Sequence, residues 1–223
     1  MRYQFDFGWL PQYWQLLASG IGITVQLILV GAVFGIALAI LCAWVRSEGP
    51  RWLRPLVAAY VELIRNTPFL IQLFFIFFGL PSLGLQLGEL QAANIAMVVN
   101  LGAYGCEIIR AGIQATPRGQ FEAGASLAMT RLETFRHVVL VPALQRIWPA
   151  LSSQVVIVML GSAVVSQIGA EDLTYAASYI QSRNFRAFET YIASTLIYLA
   201  LAILLRQAMA LLGAAIFPRR LAR

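Results

Sequence analysis

The sequence predicts an all-α membrane protein with five transmembrane helices, and three observations predict it. Apolar residues make up 60% of the 223 residues and charged residues only 12%, at a mean hydropathy of +0.74. A soluble chain of this size needs more charge to cover its surface. Uncharged runs long enough to cross a bilayer recur along the chain. The loops between them alternate between arginine-rich and arginine-poor. The length suits one domain of several spans, with no room for a separate soluble module.

Residues 1–19 are expected to form a periplasmic or interfacial N-terminus, where Tyr3, Phe5, Trp9, Tyr13 and Trp14 suit a half-wet boundary. This stretch carries an acid and many aromatics in place of a short apolar core, so no cleavable leader is expected. The transmembrane domain covers 20–217. Its first span is expected over Gly20–Val45, followed by a loop with Arg46, Arg51 and Arg54. A helix at the cytoplasmic face should cover 54–66 and break at Asn66-Thr67-Pro68, because proline disfavours a continuous helix. The second span then covers 68–86, the third Gln91–Gln114, the fourth Ile147–Ile168 and the fifth Phe188–Phe217. The loop after the second span has no basic residue. The loop after the fourth balances Arg183 and Arg186 against Glu171, Asp172 and Glu189. The tail at 218–223 adds Arg219, Arg220 and Arg223. With five spans, this alternation puts the N-terminus outside and the C-terminus in the cytoplasm.

All 16 basic residues are arginine, and the net charge of +6 follows topology rather than a nucleic-acid surface. Cys42 and Cys106 fall in spans without metal or redox spacing, as packing residues do. The sequence has no glycine-rich phosphate loop, no Ser/His/Asp arrangement around the lone His137 and no metal-ligand cluster. Catalysis and a cofactor of its own are therefore not expected. Five spans without an internal repeat are too few for a secondary transporter, so a partner membrane subunit is implied.

The most charged stretch, "EAGASLAMTRLETFRHVVL" (122–140), faces the cytosol in this topology. Thr116-Pro117 should start a helix, with Thr capping the free amides, that runs to about Met129. Thr130-Arg131-Leu132-Glu133 matches a capping box, so a second short helix should begin there. Leu132, Phe135, Val138 and Val139 form its apolar stripe. Ala123, Gly124, Ala125 and Ala128 permit close approach by another backbone. Two readings stand at this point: a basic helix lying on anionic lipid, or a compact two-helix knob for a soluble partner.

The stretch resembles the EAA loop of ABC importer membrane subunits. Three further blocks, "YVELIRNTPFLIQLFFIFFGLP" (60–81), "GAYGCEIIRAGIQATPRGQFEAGASLAMT" (102–130) and "FRAFETYIASTLIYLALA" (185–202), narrow it. They are similar to the permease subunits of polar amino acid importers, the histidine/glutamine type, and the resemblance runs from Thr24 to the end. The chain departs from the pattern at three places. Gly124 takes the third motif position, Ala128 stands where the family has glycine, and Leu140-Val141-Pro142 replaces Leu-Pro. Alanine tolerates a turn less well than glycine if φ must be positive.

The resemblance implies the type I ABC importer permease fold in a bacterial inner membrane, with this chain forming half of a translocation pathway. It implies an amino acid substrate, a second permease subunit (self or related), an external solute-binding protein and a cytosolic ATPase dimer. ATP and Mg would be bound by the ATPase. Residues 116–142 would be the coupling loop, with Glu122, Ala123, Gly124, Ala128 and Arg131 as its ATPase-facing residues. Polar residues within spans are costly in lipid, so Gln72, Asn100, Gln154, Ser162, Ser166 and Gln167 are candidates for the substrate pathway. Helix–helix contact is the alternative for each. Glu62 with Arg65, and Glu107 with Arg110, have the spacing of helical ion pairs. No unpaired acid or arginine is expected deep in a span, which leaves the carried amino acid open.

Overall fold

The computed structural model describes residues 4–217; residues 1–3 and the tail at 218–223, with its three arginines, lie outside the described residues. The described residues are helical, without strands. Helix α1 (Leu10–Glu48) starts at Leu10 rather than Gly20, because Pro11 fits the first turn and no breaker follows it. It stops at Gly49-Pro50, where the Gly49 N–H turns back to the carbonyls of Trp44 and Val45. Helix α2 (Leu53–Arg65) is followed, across a 113° bend, by α3 (Phe69–Phe74). Helix α3 continues through a π turn (Phe75–Gly79) and a 3-10 turn (Leu80–Leu83) and ends at Gly84, whose φ of +87° suits glycine. The break falls at Pro68, as the proline dictates.

Helix α4 (Glu89–Gln114) is the centre of the bundle. Its partner α1 carries a small residue every fourth position, Gly31, Gly35 and Ala39, which lets the two backbones lie close. A Cβ on Gly35 would sit 2.8 Å from Leu101, and one on Gly105 would sit 2.8 Å from Ala39. Helix α5 (Arg118–Ser126) and the single turn α6 (Arg131–Glu133) form the segment between the third and fourth spans. From α6 the chain passes through a π turn (Thr134–Val139) into α7 (Leu140–Gly161) and a 3-10 turn (Ser162–Ile168). Pro142 lacks the N–H that would bond to Val138, and the wider π turn relieves the clash of its ring.

Helix α8 (Leu173–Asn184) stands where a loop was expected. Its charges suggested a loop, but Asp172 caps it by accepting from the Tyr175 N–H at 2.9 Å. Leu173, Ala176, Ala177 and Ile180 bury one face at helical spacing. The Leu173 N–H donates to Thr24 Oγ1 of α1 at 3.1 Å. Helix α9 (Ala187–Ile216) closes the chain at the periphery. Among the described residues, four helical stretches are long and apolar enough to cross a membrane, and there are five if the bent pair α2–α3 counts as one span.

Candidate functional site

At the break between α2 and α3, a cavity of about 370 Å³ opens beside α4 and α7. Thr67, Pro68 and Phe69 line it from the break, Asn100 and Tyr104 from α4, and Gln154, Ile157, Val158 and Gly161 from α7. Hydroxyls and amides converge there, and no lining residue is formally charged. One buried side chain sets the shape of the break. The Gln72 amide donates to the carbonyls of Ile64 (2.7 Å) and Thr67 (2.9 Å) and to Thr67 Oγ1 (3.0 Å). Its oxygen accepts from Asn100 Nδ2 at 3.0 Å. Gln72 thus supplies donors that the broken helix lost, and Asn66 and Thr67 supply others, to the carbonyls of Glu62 (2.8 Å) and Leu63 (2.8 Å).

The six polar candidates divide. Asn100 and Gln154 line the cavity, and Gln72 braces its wall without lining it. Ser166 donates to the Ala163 carbonyl one turn back, as helix-bound serines do. Ser162 is wholly buried, and its hydroxyl has no hydrogen-bond partner among the described residues. Gln167 is exposed and outside the lining. Thr67 and Tyr104 were missed as lining residues: Thr67 was read only as part of the break, and tertiary packing alone brings Tyr104 of α4 beside it.

The second region is the α5–α6 segment. Glu122, Ala123, Ala125, Leu127 and Ala128 are exposed, Leu127 at 74%. Gly124 faces inward instead: a Cβ there would lie 2.6 Å from Thr134. The close approach it permits is by the Thr134 side chain of its own chain. Arg131 is exposed and borders a shallow hollow of about 200 Å³ with Glu48, Phe121 and Met129. Pro117, not Thr116, stands at the N-cap of α5, and Thr116 bonds back to Gly112 of α4. The capping box forms as its spacing requires. Thr130 Oγ1 accepts from the Glu133 N–H, and the Glu133 carboxylate accepts from the Thr130 N–H at 2.8 Å. Between the helices the Met129 N–H reaches the Gly124 carbonyl and the Ala128 N–H the Ala125 carbonyl. This places Ala128 at φ +55°.

Beneath this segment, Glu107 gathers three arginines. Arg110 bonds it at 2.7 Å, Arg46 of α1 pairs with it, and Arg65 of α2 lies 4.0 Å away. Arg65 therefore does not pair with Glu62, whose carboxylate accepts from Asn66. The α4 surface offers Arg65 both a carboxylate and the Tyr104 ring, 5.7 Å from its guanidinium. The expectation of no arginine inside a span also fails. Arg206 lies within α9, and the signal was plain in "LAILLRQAMALLG" (201–213).

Residues 31–218 match the family described as the binding-protein-dependent transport system inner membrane component. The chain is 37% identical over 194 residues to the L-cystine transport system permease protein TcyB of Bacillus subtilis (strain 168), covering 86% of this chain and 83% of that protein. It is 33% identical over 205 residues to the glutamine transport system permease protein GlnP of Escherichia coli (strain K12), covering 91% and 93%. The crystal structure of an amino acid ABC transporter with histidines superposes with a TM-score of 0.83 at 34% identity, over 96% of this chain and 100% of that one. The inward-facing MetNI methionine ABC transporter shares the fold at a TM-score of 0.76 and 22% identity.

Proposed function

The chain belongs to the family of inner membrane components of binding-protein-dependent transport systems, and from that premise we propose that it carries polar amino acids across a bacterial inner membrane. It acts as the permease subunit of an ATP-driven importer. Two permease chains, identical or related, enclose the pathway, and an external solute-binding protein delivers the substrate. Two cytosolic ATPases bind ATP and Mg and grip the α5–α6 segments. The N-terminus then lies outside and the α5–α6 segment in the cytosol. This chain performs no catalysis; it converts movement of the ATPases into movement of its spans.

A single observation carries the proposal: one helical rod runs from the exposed α5–α6 knob into the wall of the cavity. The helix from Arg131 to Ile168 is continuous through its π and 3-10 turns and bears Gln154 on the way. A partner that displaces the knob therefore displaces the cavity wall with it, as a rigid element does. The lining of Thr67, Asn100, Tyr104 and Gln154 offers donors and acceptors without a fixed charge, which suits a zwitterion with an uncharged polar side chain.

Glu122→Lys tests the coupling. Breaking a desolvated charge pair on one side costs about 2–5 kcal/mol of binding. The variant should insert and fold, because Glu122 is exposed and outside the spans, yet lose ATPase co-purification and transport together. A cysteine at Ser126 should be labelled only from the cytosolic face. Normal ATPase retention and transport in the variant, or labelling of that cysteine from outside, would overturn this assignment.

A further inference from the structure

Arg206 stands in α9, the least buried of the four long apolar helices among the described residues. Only 11% of the most apolar stretch of α9 is buried, against 61% for α4. Leu196, Leu199, Ile203, Leu204, Leu211 and Leu212 stand exposed along it. Among the described residues, Arg206 has neither an ion pair nor a hydrogen bond. At a rise of about 1.5 Å per residue it lies roughly 15 Å from the end of α9 at Ile216, inside the apolar part of the helix. An unpaired guanidinium within an apolar helix is costly unless an anion or the headgroup region reaches it.

The surroundings are shaped for one. Arg206 borders a cavity of about 550 Å³ between α7 and α9, with Ser152, Ser153, Val156, Ile157 and Trp148. The groove is held open at a fixed width. The Trp148 indole donates to the Met209 carbonyl at 2.8 Å, and its ring lies where a side chain at Gly213 would stand, 2.3 Å from an added Cβ. One wall is thus a cation with a fork of donors, and the rest is apolar with an aromatic edge, apart from the Ser152 and Ser153 hydroxyls, which donate back to the Trp148 and Pro149 carbonyls of their own helix. This matches a phosphodiester joined to acyl chains.

We propose that the α7–α9 groove is a binding site for one anionic phospholipid, whose headgroup phosphate is held by Arg206 and whose chains lie against Val156 and Ile157. The lipid neutralises a charge that the protein leaves unpaired and fills a groove beside the helix that lines the substrate cavity.

The permease, purified with its ATPases in detergent, is titrated with phosphatidylglycerol or phosphatidylcholine and its bound lipids are counted by native mass spectrometry. Wild type should retain one phosphatidylglycerol per permease chain in preference to phosphatidylcholine. Arg206→Leu and Arg206→Gln should each weaken that retention about tenfold, the scale of one charge-assisted contact. Arg206→Lys should keep part of it. Arg183→Gln, which changes the net charge equally, should change nothing. Leucine removes a charge from an apolar helix, so assembly should survive. No preference for phosphatidylglycerol in wild type, or equal retention in the Arg206 variants, would overturn the proposal. Displacement of the lipid by millimolar inorganic phosphate would assign the site to a free anion. Crosslinking of Arg206→Cys to the second permease in place of lipid would assign the groove to a subunit contact. Either result would refute a lipid site.

Discussion

The break between α2 and α3 and the α5–α6 knob both interrupt a helix, but they hold their shape by opposite means. At the break, side chains do the holding: Gln72 binds two carbonyls and a hydroxyl and is bound in turn by Asn100, while Asn66 and Thr67 donate back to the carbonyls of Glu62 and Leu63. In the knob, backbone groups and the local capping box hold the turn, and Glu122, Ala123 and Leu127 remain exposed. A region whose side chains are consumed by its own fold offers few of them to a partner. A region folded by its backbone keeps its side chains for contact. Conserving polarity at the break should therefore matter for stability, whereas polarity in the knob should matter for docking.

The largest effect on stability is expected from Gln72→Leu. A single hydrogen bond between membrane helices is worth only about 0.6 kcal/mol on average. Losing Gln72, however, strands the Thr67 carbonyl and the Asn100 amide and leaves the Ile64 carbonyl only a long 3.5 Å contact with the Thr67 hydroxyl, and each buried orphan costs about 1–3 kcal/mol. A loss of roughly 3 kcal/mol is expected, read as a lowered thermal midpoint of the purified complex. Ser166→Ala, which removes only a bond within one helical turn, should leave that midpoint unchanged. Equal midpoints for Gln72→Leu and wild type would show that the local caps of Asn66 and Thr67 hold the break without Gln72, and the contrast would weaken to one of local caps in both regions.

Gln154→Leu sharpens the same contrast from inside the cavity. Gln154 lines the space beside Asn100 and is only half buried. Replacement should leave folding and basal ATP hydrolysis near wild type, within about 1 kcal/mol of stability. Stimulation of hydrolysis by substrate and its binding protein should change. Unchanged stimulation would return Gln154 to the class of helix contacts.

What the sequence made legible was what is local. The capping box at Thr130–Glu133 and the break at Pro68 each depend on a few consecutive residues, and both stand as expected. The spans were legible because their apolar runs exceed the bilayer thickness. What stayed hidden depended on tertiary choice. Arg65 had Glu62 within reach on its own helix, but α4 offered a carboxylate and an aromatic face together. Helix α8 was masked because Glu171 and Asp172 mark a loop by charge, yet Asp172 serves as its cap. Gly124 was legible as a site of close approach but not as to what approaches it; the Thr134 side chain of the same chain does. Among the site candidates, Asn100 and Gln154 share a cavity, whereas Gln167 faces away from it, and no periodicity in the sequence separates those two outcomes.

The smallest effect concerns the turn of the knob. Ala128 occupies the left-handed position that closes α5, at φ +55°, where its Cβ crowds the backbone at a cost of about 1–2 kcal/mol. The Met129 and Ala128 N–H groups nevertheless complete the two bonds of a helix stop, so the surrounding chain holds the alanine in place. Glycine removes the strain, but it also loses more conformational entropy on ordering, about 0.5–1 kcal/mol. The two terms nearly offset, and Ala128→Gly should stabilise the knob by about 1 kcal/mol or less. Hydrogen exchange of the Met129 and Thr130 amides should slow by a few-fold at most, with the thermal midpoint of the complex unmoved. Because the turn is already formed in the alanine form, ATPase retention should stay at the wild-type level. A marked gain in retention would mean that the alanine-containing turn is only partly formed before docking. The backbone would then not be sufficient to hold the knob, and the distinction between the two regions would be one of degree.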